Sequence, residues 1–183
     1  MTEQDPIIAH DDLTPSAWVQ RFAPRVPNFG GGSVLDVACG KGRHTRLFLD
    51  MGYKIVAVDR NVAGIQDLTQ HPNLTILEAD LELEAGWPLS NQQFAGVVVT
   101  NYLSRPILND IISAVGLGGV LIYETFANGN EQYGRPKNPD FLLREGELLK
   151  FVENNFSIAA YEHGFVEHPK PAVTQRIVAI RTK

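Results

Sequence analysis

The 183-residue sequence lacks the features that define several large classes of protein. It has one cysteine, Cys39, so neither an intramolecular disulfide nor a multi-cysteine metal site can form. No apolar run approaches the roughly 18 residues that a membrane-spanning helix needs. The acidic first residues, "MTEQDPIIAHDD", are typical of neither a signal peptide nor a mitochondrial presequence. We therefore expect a cytoplasmic protein that has no membrane partner.

Positive charge is also scarce. The chain has 16 basic and 21 acidic residues, which gives a net charge of −5, and its lysines and arginines are not densely clustered. A surface that binds nucleic acid has to be positive because it faces phosphates, so we expect no nucleic-acid partner. The length and the hydrophobic content of 44% predict a single globular domain over residues 1–183.

Apolar runs of strand length alternate with segments of helical periodicity. The five predicted central strands lie at 33–38, 54–59, 74–80, 95–101 and 119–125. Helical spacing is found at 15–24, before Gly52, from Asn61 to Leu68, from Ile107 to Val115 and from Glu147 to Asn154. Two β-rich segments, 156–165 and 173–181, end the chain and pair most simply as an antiparallel hairpin. The pattern predicts an α/β fold with a Rossmann-like, mostly parallel sheet of seven strands, a C-terminal antiparallel hairpin and helices on both faces.

A glycine loop follows the first predicted strand in "VLDVACGKGRHT", residues 34–45. Gly40 and Gly42 permit sharp backbone angles and let a ligand approach the chain closely. The helix that follows presents unpaired N–H groups to a polar or anionic ligand. A plain strand-to-helix turn would also explain these glycines, so the loop alone is weak evidence for a nucleotide-shaped ligand.

Acidic residues at the ends of the next two predicted strands strengthen that evidence. Asp59 lies 19 residues after Gly40, close to the spacing of a carboxylate that binds ribose hydroxyls. Asp80 can accept a hydrogen bond from the exocyclic amine of adenine. Each acid taken singly is more often a helix cap or a turn residue. Three successive strand ends that each carry a suitable group favour a ligand that contains adenosine.

A dinucleotide is the first candidate for this ligand, but Thr45 argues against it. The dinucleotide fingerprint has a third glycine at that position, which brings the helix close to the pyrophosphate. A nicotinamide-dependent reductase would also need further βα units and a substrate domain, for which 183 residues leave little room.

Over nearly its whole length the chain resembles the class I S-adenosylmethionine-dependent methyltransferases. "DVACGKG" is similar to the first motif of that family, in which an acid precedes a glycine loop. Asp59 matches the ribose-binding acid, and Asp80 with Leu81 matches the adenine contact. "VVVTNYL" looks like the fourth strand and its exit, and the closing hairpin resembles the reversed seventh strand of the family.

A narrower resemblance concerns the small tellurite-resistance type of methyltransferase, to which "NYLSRP" and "FLLREGELL" look similar. The chain departs from the wider family at Ala38, where many members have glycine. It also has "TNYL" in place of the "[DNS]PP[YF]" of enzymes that methylate amines of DNA bases, which argues against DNA as the acceptor.

The resemblance implies a role for each part of the first motif. Asp36 would order the loop near the methionine amino group of the cofactor, and Asn101 would reach the methionine portion. The segment 15–24, in a predicted helical extension over residues 1–30, either packs on the sheet edge or closes over the cofactor, in which case Arg21 would pair with the methionine carboxylate. The residues predicted to bind S-adenosylmethionine are Arg21, Asp36, Ala38, Gly40, Gly42, Asp59, Arg60, Asp80, Leu81 and Asn101.

The acceptor side is less defined. In this architecture the loop after the fifth strand, residues 126–140, would roof the acceptor pocket. The predicted substrate-binding residues are Tyr102, Arg105, Tyr133 and Arg135. Arg105, Arg135 and Lys137 together favour a small anionic acceptor, although solvated loop charges would give the same pattern. No catalytic base can be assigned, since His44, His163 and His168 are candidates by residue type alone.

The sequence therefore predicts a methyltransferase that acts on a small molecule by in-line methyl transfer. A catalytically silent S-adenosylmethionine-binding sensor or partner subunit is the alternative from another class, because no base is identifiable. A nicotinamide-dependent reductase is a further alternative. The likeness to the fold does not specify the acceptor.

Overall fold

Seven strands of the described residues form one sheet in the order β3-β2-β1-β4-β5-β7-β6. The structure is a computed structural model that describes residues 13–28, 32–83 and 87–183. The strands are β1 (Ser33–Val37), β2 (Lys54–Asp59), β3 (Leu74–Glu78), β4 (Phe94–Thr100), β5 (Val115–Phe126), β6 (Phe156–Val166) and β7 (Ala172–Arg181). The first five strands are parallel, and β7 is antiparallel to both β5 and β6. This arrangement confirms the predicted sheet and its reversed terminal strand.

Helices cover both faces of the sheet, as predicted. The α-helices in the described part of the chain are α1 (Ala17–Phe22), α2 (Arg43–Asp50), α3 (Leu108–Ser113) and α4 (Glu147–Val152). Short 3₁₀ segments lie at Ala23–Arg25, Val62–Leu68, Arg105–Ile107, Asn130–Gln132 and Pro139–Phe141. Buried residues of α1 and α2 pack with alternate strand residues on one face. Those of α3 and α4 pack with the intervening strand residues on the other face.

The predicted element boundaries are wrong at three places. The segment after Asn61 is a 3₁₀ segment kinked at Ile65, although Asn61 does cap it by accepting a hydrogen bond from the Ala63 N–H at 3.0 Å. Val115 belongs to β5, where it pairs with Phe94, and not to the preceding helix. As a β-branched residue, it fits a strand better than a helix end. β3 ends at Glu78, so Asp80 lies in the following loop.

The strand order places the predicted ligand-binding groups at one edge of the sheet. β1 lies between β2 and β4, and the chain leaves β1 toward β2 but reaches β4 only after β3. Such a switch point opens a crevice at the carboxyl ends of the strands. The described part of the chain contains no helix that is long and apolar enough to cross a membrane. Of the predicted N-terminal extension, residues 1–12, 29 and 30 lie outside the described residues.

Candidate cofactor site

The glycine loop after β1 has an unusual backbone. Ala38, Gly40 and Gly42 have φ angles of 53°, 56° and 73°, so alternate residues adopt the left-handed conformation. Glycine adopts that conformation readily, but alanine does not, so Ala38 is held in a strained state at the end of β1. Backbone strain of this kind concentrates at binding sites. A Cβ built on Gly40 has no atom within 4 Å, so this part of the loop faces open space.

The other side of the loop is closed by the segment after β2. A Cβ on Gly42 would lie 2.3 Å from Ile65 Cγ2, and one on Gly64 would lie 2.9 Å from Lys41 Cα. Gly64, which the sequence analysis did not single out, therefore allows the 3₁₀ segment to pack directly on the loop.

These contacts predict that Gly42→Ala destabilises the protein by roughly 2–4 kcal/mol, because left-handed strain adds to overpacking. Gly52→Ala is the matched control, since Gly52 has a φ of 83° but no atom within 4 Å of an added Cβ. Gly52→Ala should lower the free energy of unfolding by only about 1 kcal/mol. Urea denaturation followed by circular dichroism measures both losses, and equal losses would contradict the packing argument.

Asp36 lies buried beneath the loop and has one short side-chain contact. The Thr45 hydroxyl in α2 donates a hydrogen bond of 2.6 Å to Asp36 Oδ2. Burial raises the pKa of the Asp36 carboxyl to about 6, although the Thr45 hydroxyl acts in the opposite direction. In the sequence Thr45 stands where the dinucleotide fingerprint has glycine, and in the structure its hydroxyl is the hydrogen-bond partner of Asp36.

Asp59 joins the glycine loop to the end of β2. Its Oδ2 accepts a hydrogen bond of 2.8 Å from the Gly40 N–H, and its Oδ1 accepts one of 2.9 Å from the Asn61 N–H. A carboxylate offers about four acceptor positions, so these two contacts leave capacity for a ligand. The predicted ribose acid is thus brought next to the open part of the glycine loop.

Asp80 and Leu81 follow β3 on the same edge. Asp80 Oδ1 accepts a hydrogen bond of 3.0 Å from the Glu82 N–H, and Leu81 is buried. Leu81 also lines a cleft of about 510 Å³ between the segments that follow β3 and β4. Leu103 and Ile107 form part of the opposite wall of that cleft.

Tyr102, predicted to bind the acceptor, directly precedes Leu103, which lines this cleft together with Asp140 of the predicted acceptor loop. Burial raises the pKa of the Tyr102 hydroxyl to about 12, and the hydroxyl is close enough to Asp80 and Arg60 to respond to their charges. The role of Tyr102 toward the acceptor stays a prediction.

The N-terminus of α1 is fixed to the sheet edge through His44. The Ser16 N–H donates to His44 Nε2 at 3.1 Å, and His44 Nδ1 lies 3.3 Å from the Thr100 hydroxyl. Burial lowers the pKa of His44 to about 3, so the imidazole is neutral. Both ring nitrogens are engaged, which gives His44 a structural role between α1, α2 and β4. Arg21 lies on the exposed side of α1, with its guanidinium 4.9 Å from the Phe22 ring, and its role toward the cofactor stays a prediction.

Asn101, which was predicted to reach the methionine portion, follows β4, and Cys39 lies in the glycine loop after β1. Asn101 has a φ of 54°, and its N–H donates to the Glu124 carbonyl at 2.9 Å. Left-handed asparagine is common, but its position beside the strained Ala38 loop is typical of a binding edge. Cys39 is buried, and burial raises the pKa of its thiol far above the usual range, so it is a packing residue.

The contacts of Arg105 differ from those expected of an acceptor-binding cation. Its Nε and Nη2 donate to Glu147 at 2.7 and 2.9 Å, and its Nη1 donates to the Asp140 carbonyl at 2.7 Å. Nη2 also donates to the Leu142 carbonyl at 2.9 Å. These contacts tie the segment after β4 to the start of α4. The role of Arg105 in acceptor binding stays a prediction, which its hydrogen bonds do not support.

The loop of residues 126–140 is anchored by a buried side chain, Asn130. Its Oδ1 accepts from the Val173 N–H at 3.2 Å, and its Nδ2 donates to the Pro136 carbonyl at 3.3 Å. Tyr133 of this loop packs against Phe165 of β6 with ring centroids 4.9 Å apart, and both rings are exposed. Arg135 belongs to the same loop, and its predicted role, like that of Tyr133, is not tested by these contacts.

Comparison with known proteins supports the assignment of this edge. Residues 34–116 match a family model described as a methyltransferase domain. A comparison with curated proteins found no significant match.

Three solved structures have similar folds. TehB from Haemophilus influenzae aligns with a TM-score of 0.66 and 19% identity, over 96% of this chain and 63% of that one. An S-adenosylmethionine-dependent methyltransferase from Mesorhizobium loti aligns with a TM-score of 0.70 and 16% identity, over 92% and 100% of the two chains. The Burkholderia thailandensis 1,6-didemethyltoxoflavin-N1-methyltransferase, solved with its acceptor and S-adenosylhomocysteine, aligns with a TM-score of 0.65 and 18% identity over 92% and 79%.

The strand order, the glycine loop and the similar solved structures show that this chain has the fold of S-adenosylmethionine-dependent methyltransferases, and its residues 34–116 are similar to a methyltransferase domain. The predicted resemblance to this class is confirmed, and solved structures of similar fold hold S-adenosylmethionine or S-adenosylhomocysteine. Within this class, the likeness to TehB agrees with the narrower resemblance to the small tellurite-resistance type, although this chain spans only 63% of the length of TehB.

Proposed function

We propose that this protein transfers a methyl group from S-adenosylmethionine to a small-molecule acceptor. The observation that carries the proposal is the glycine loop beside Asp59. Its backbone is left-handed at Ala38, Gly40 and Gly42, the space at Gly40 is open, and the Asp59 carboxylate is bound to the Gly40 N–H.

The residues at this edge fit the cofactor. The open space at Gly40 would let the cofactor lie against the backbone, and the remaining acceptor positions of Asp59 suit two ribose hydroxyls. The cleft beside Leu81 suits the adenine, with Asp80 as the partner of its amine. Asp36, buried beneath the loop, would face the methionine amino group.

When bound, S-adenosylmethionine supplies a methyl group that is already activated for in-line displacement. The contribution of this chain is then mainly to bind and orient both reactants and to exclude water. The neutral, fully engaged His44 has no part in proton transfer in this scheme, and it supports the site by holding α1 against β4.

The acceptor is proposed to be small and to bind between the end of β4 and the loop 126–140. The Burkholderia relative acts on a small molecule, which supports this class of acceptor. An anionic acceptor was favoured by three cations near the loop, but the guanidinium of Arg105 is committed to Glu147 and two carbonyls, so that support is weaker.

A thermal-shift assay tests the cofactor part of the proposal. At a concentration of 100 times the Kd, S-adenosylhomocysteine should raise the Tm by roughly 5–10 °C, and NAD should leave it unchanged. Release of S-adenosylhomocysteine from S-adenosylmethionine with an acceptor panel then separates an enzyme from a silent binding module. An increase in Tm with NAD alone would instead support a reductase.

A further inference from the structure

A row of polar side chains crosses the sheet on the acceptor side of the proposed site. Thr100 of β4 is paired with Glu124 of β5, Glu124 with Arg176 of β7, and Arg176 with Glu162 of β6. Directly paired residues project to the same face of a sheet, so these four side chains lie side by side on the face that α1 covers. No sequence motif indicates a role for Glu124, Arg176 or Glu162.

Glu124 is the central acid of this row and has spare capacity for hydrogen bonds. Its Oε1 accepts a hydrogen bond of 2.8 Å from the Ser16 hydroxyl, and its Oε2 lies 3.4 Å from Arg176 Nη1. The side chain is 13% exposed, so it is held in place but still reachable. One short and one long contact satisfy only part of a carboxylate, which offers about four acceptor positions.

Two buried donors beside Glu124 have no hydrogen-bond acceptor among the described residues. They are Trp18 Nε1 and Arg176 Nε, and the Arg176 guanidinium lies 5.4 Å from the Trp18 ring. The nearest carboxylate oxygen to Arg176 Nε is that of Glu162, at 3.5 Å. Unsatisfied buried polar groups are uncommon, and they concentrate where a ligand, ion or water completes the bonding.

Glu124 lies near the part of the sheet where the reacting atoms are proposed to be. Its carbonyl accepts the Asn101 N–H at 2.9 Å, so it is adjacent to the strand end proposed to face the methionine portion of the cofactor. β5 is two strands from β1, or about 10 Å at the usual strand spacing. A small acceptor placed over the end of β4 would therefore reach Glu124.

The charges of the cluster argue against an anionic acceptor. Arg176 lies between the carboxylates of Glu124 and Glu162, so the three groups together carry an excess of one negative charge. The neighbouring His44 is neutral and does not compensate it. Such a site favours a ligand that donates hydrogen bonds.

We propose that Glu124 binds the N–H or O–H group of the acceptor and receives its proton during methyl transfer, with Arg176 as a positioning residue. This inference rests on the proposed function. The nucleophilic nitrogen or oxygen forms a bond to the methyl carbon, and the carbon–sulfur bond breaks with its electron pair going to sulfur. The displaced proton passes from the acceptor to the Glu124 carboxylate and then to water. The acceptor is thus a protic nitrogen or oxygen nucleophile.

The N–H requirement can be tested by binding, without any turnover. Imidazole and 1-methylimidazole at pH 8 differ in one N–H group, and Trp18 reports on the cluster once the other tryptophan is changed by Trp87→Phe. In the presence of S-adenosylhomocysteine, imidazole should change the Trp18 emission in a saturable way and bind more tightly than 1-methylimidazole. Glu124→Gln should weaken imidazole binding by roughly tenfold, because a charge-assisted hydrogen bond becomes a neutral one.

Turnover provides the second measurement. With protic acceptors found by S-adenosylhomocysteine release, Glu124→Gln should lower kcat by at least about 10²-fold, the usual contribution of a proton acceptor. Glu153→Gln is the matched control, since Glu153 is an exposed acid at the end of α4 and should behave like the wild type.

A failure of the Glu124 assignment can be distinguished from a failure of the proposed function. Calorimetry should give the same S-adenosylhomocysteine affinity for the wild type, Glu124→Gln and Glu153→Gln. Absence of that binding in the wild type would overturn the proposed function. If that binding is intact, four results would each overturn the assignment of Glu124. They are equal affinity for imidazole and 1-methylimidazole, no effect of imidazole on the Trp18 emission, tighter binding of the anion propionate than of imidazole, and a Glu124→Gln variant with unchanged imidazole affinity and kcat.

Discussion

Asp59→Ala is expected to weaken S-adenosylhomocysteine binding by roughly 10²-fold or more. Two hydrogen bonds from ribose hydroxyls to a carboxylate are worth about 1.5–3 kcal/mol each, which sets this scale. The substitution also removes the contact of 2.8 Å that holds the Gly40 N–H, so the loop loses part of its preorganisation. Isothermal titration calorimetry measures the affinity directly.

Asp67→Ala is the control for this experiment. Asp67 is an exposed acid that pairs with Arg46 at 2.8 Å on the surface, so its removal changes the net charge equally without touching the glycine loop. It should leave the affinity unchanged. If both variants bind S-adenosylhomocysteine like the wild type, Asp59 does not hold the ribose, and the proposed orientation of the cofactor fails.

The affinity for S-adenosylhomocysteine should also depend on pH through Asp36. Burial raises the pKa of this carboxyl to about 6 in the free protein, and a ligand ammonium group beside it would favour the ionised form. Binding then releases a proton below pH 6, so affinity rises with pH and levels off above pH 6. At pH 5 the affinity should be roughly tenfold lower than at pH 8.

Two variants identify the group that titrates. Asp36→Asn should bind weakly at all pH values and lose the dependence. Thr45→Val should move the midpoint upward, because the Thr45 hydroxyl lowers the pKa of Asp36 by donating to its carboxylate. His44, whose pKa is lowered to about 3, does not titrate in this range. Calorimetry between pH 5 and 8 that shows a flat wild-type profile would refute the role of Asp36.

The same shift has a consequence for stability. Because the pKa of Asp36 in the folded protein lies above its ordinary value of 3.8, the folded state retains the proton more strongly than the unfolded state. The stabilising effect is complete below pH 3.8 and is lost as the pH rises through about 6. At neutral pH the ionised, buried Asp36 thus destabilises the ligand-free protein, and a bound ammonium group would reduce this destabilisation.

Local patterns in the sequence were sufficient for the sheet and for the cofactor edge. The sequence predicted all seven strands. β1 and β4 are buried on both faces and leave a continuous apolar signal, whereas β6 at the exposed edge was predicted from its β-rich composition. Gly40 and Asp59 were predicted from their spacing, since the ends of neighbouring parallel strands necessarily meet at one edge. Asp36 was predicted from the resemblance to methyltransferases, which rests on these elements.

Long-range packing decided the features that the sequence did not reveal. Gly64 matters only because its segment packs on the glycine loop, and Thr45 only because α2 turns its hydroxyl toward Asp36. The sequence suggested that Arg105 is a cation available to a ligand, but in the fold its Nε donates a hydrogen bond of 2.7 Å to Glu147 Oε1.

The difference between what the sequence and the tertiary structure reveal is largest for the polar row of Thr100, Glu124, Arg176 and Glu162. These residues are spread over more than sixty positions and share no motif. They are neighbours because β7 inserts between β5 and β6 in one particular register, which depends on the pairing of whole strands. The sequence by itself thus determined the sheet and the resemblance to S-adenosylmethionine-dependent methyltransferases, because the patterns that carry them are local or repeat at each strand end. Only the tertiary structure decided which side chains lie beside Glu124, because strand register brings distant residues together.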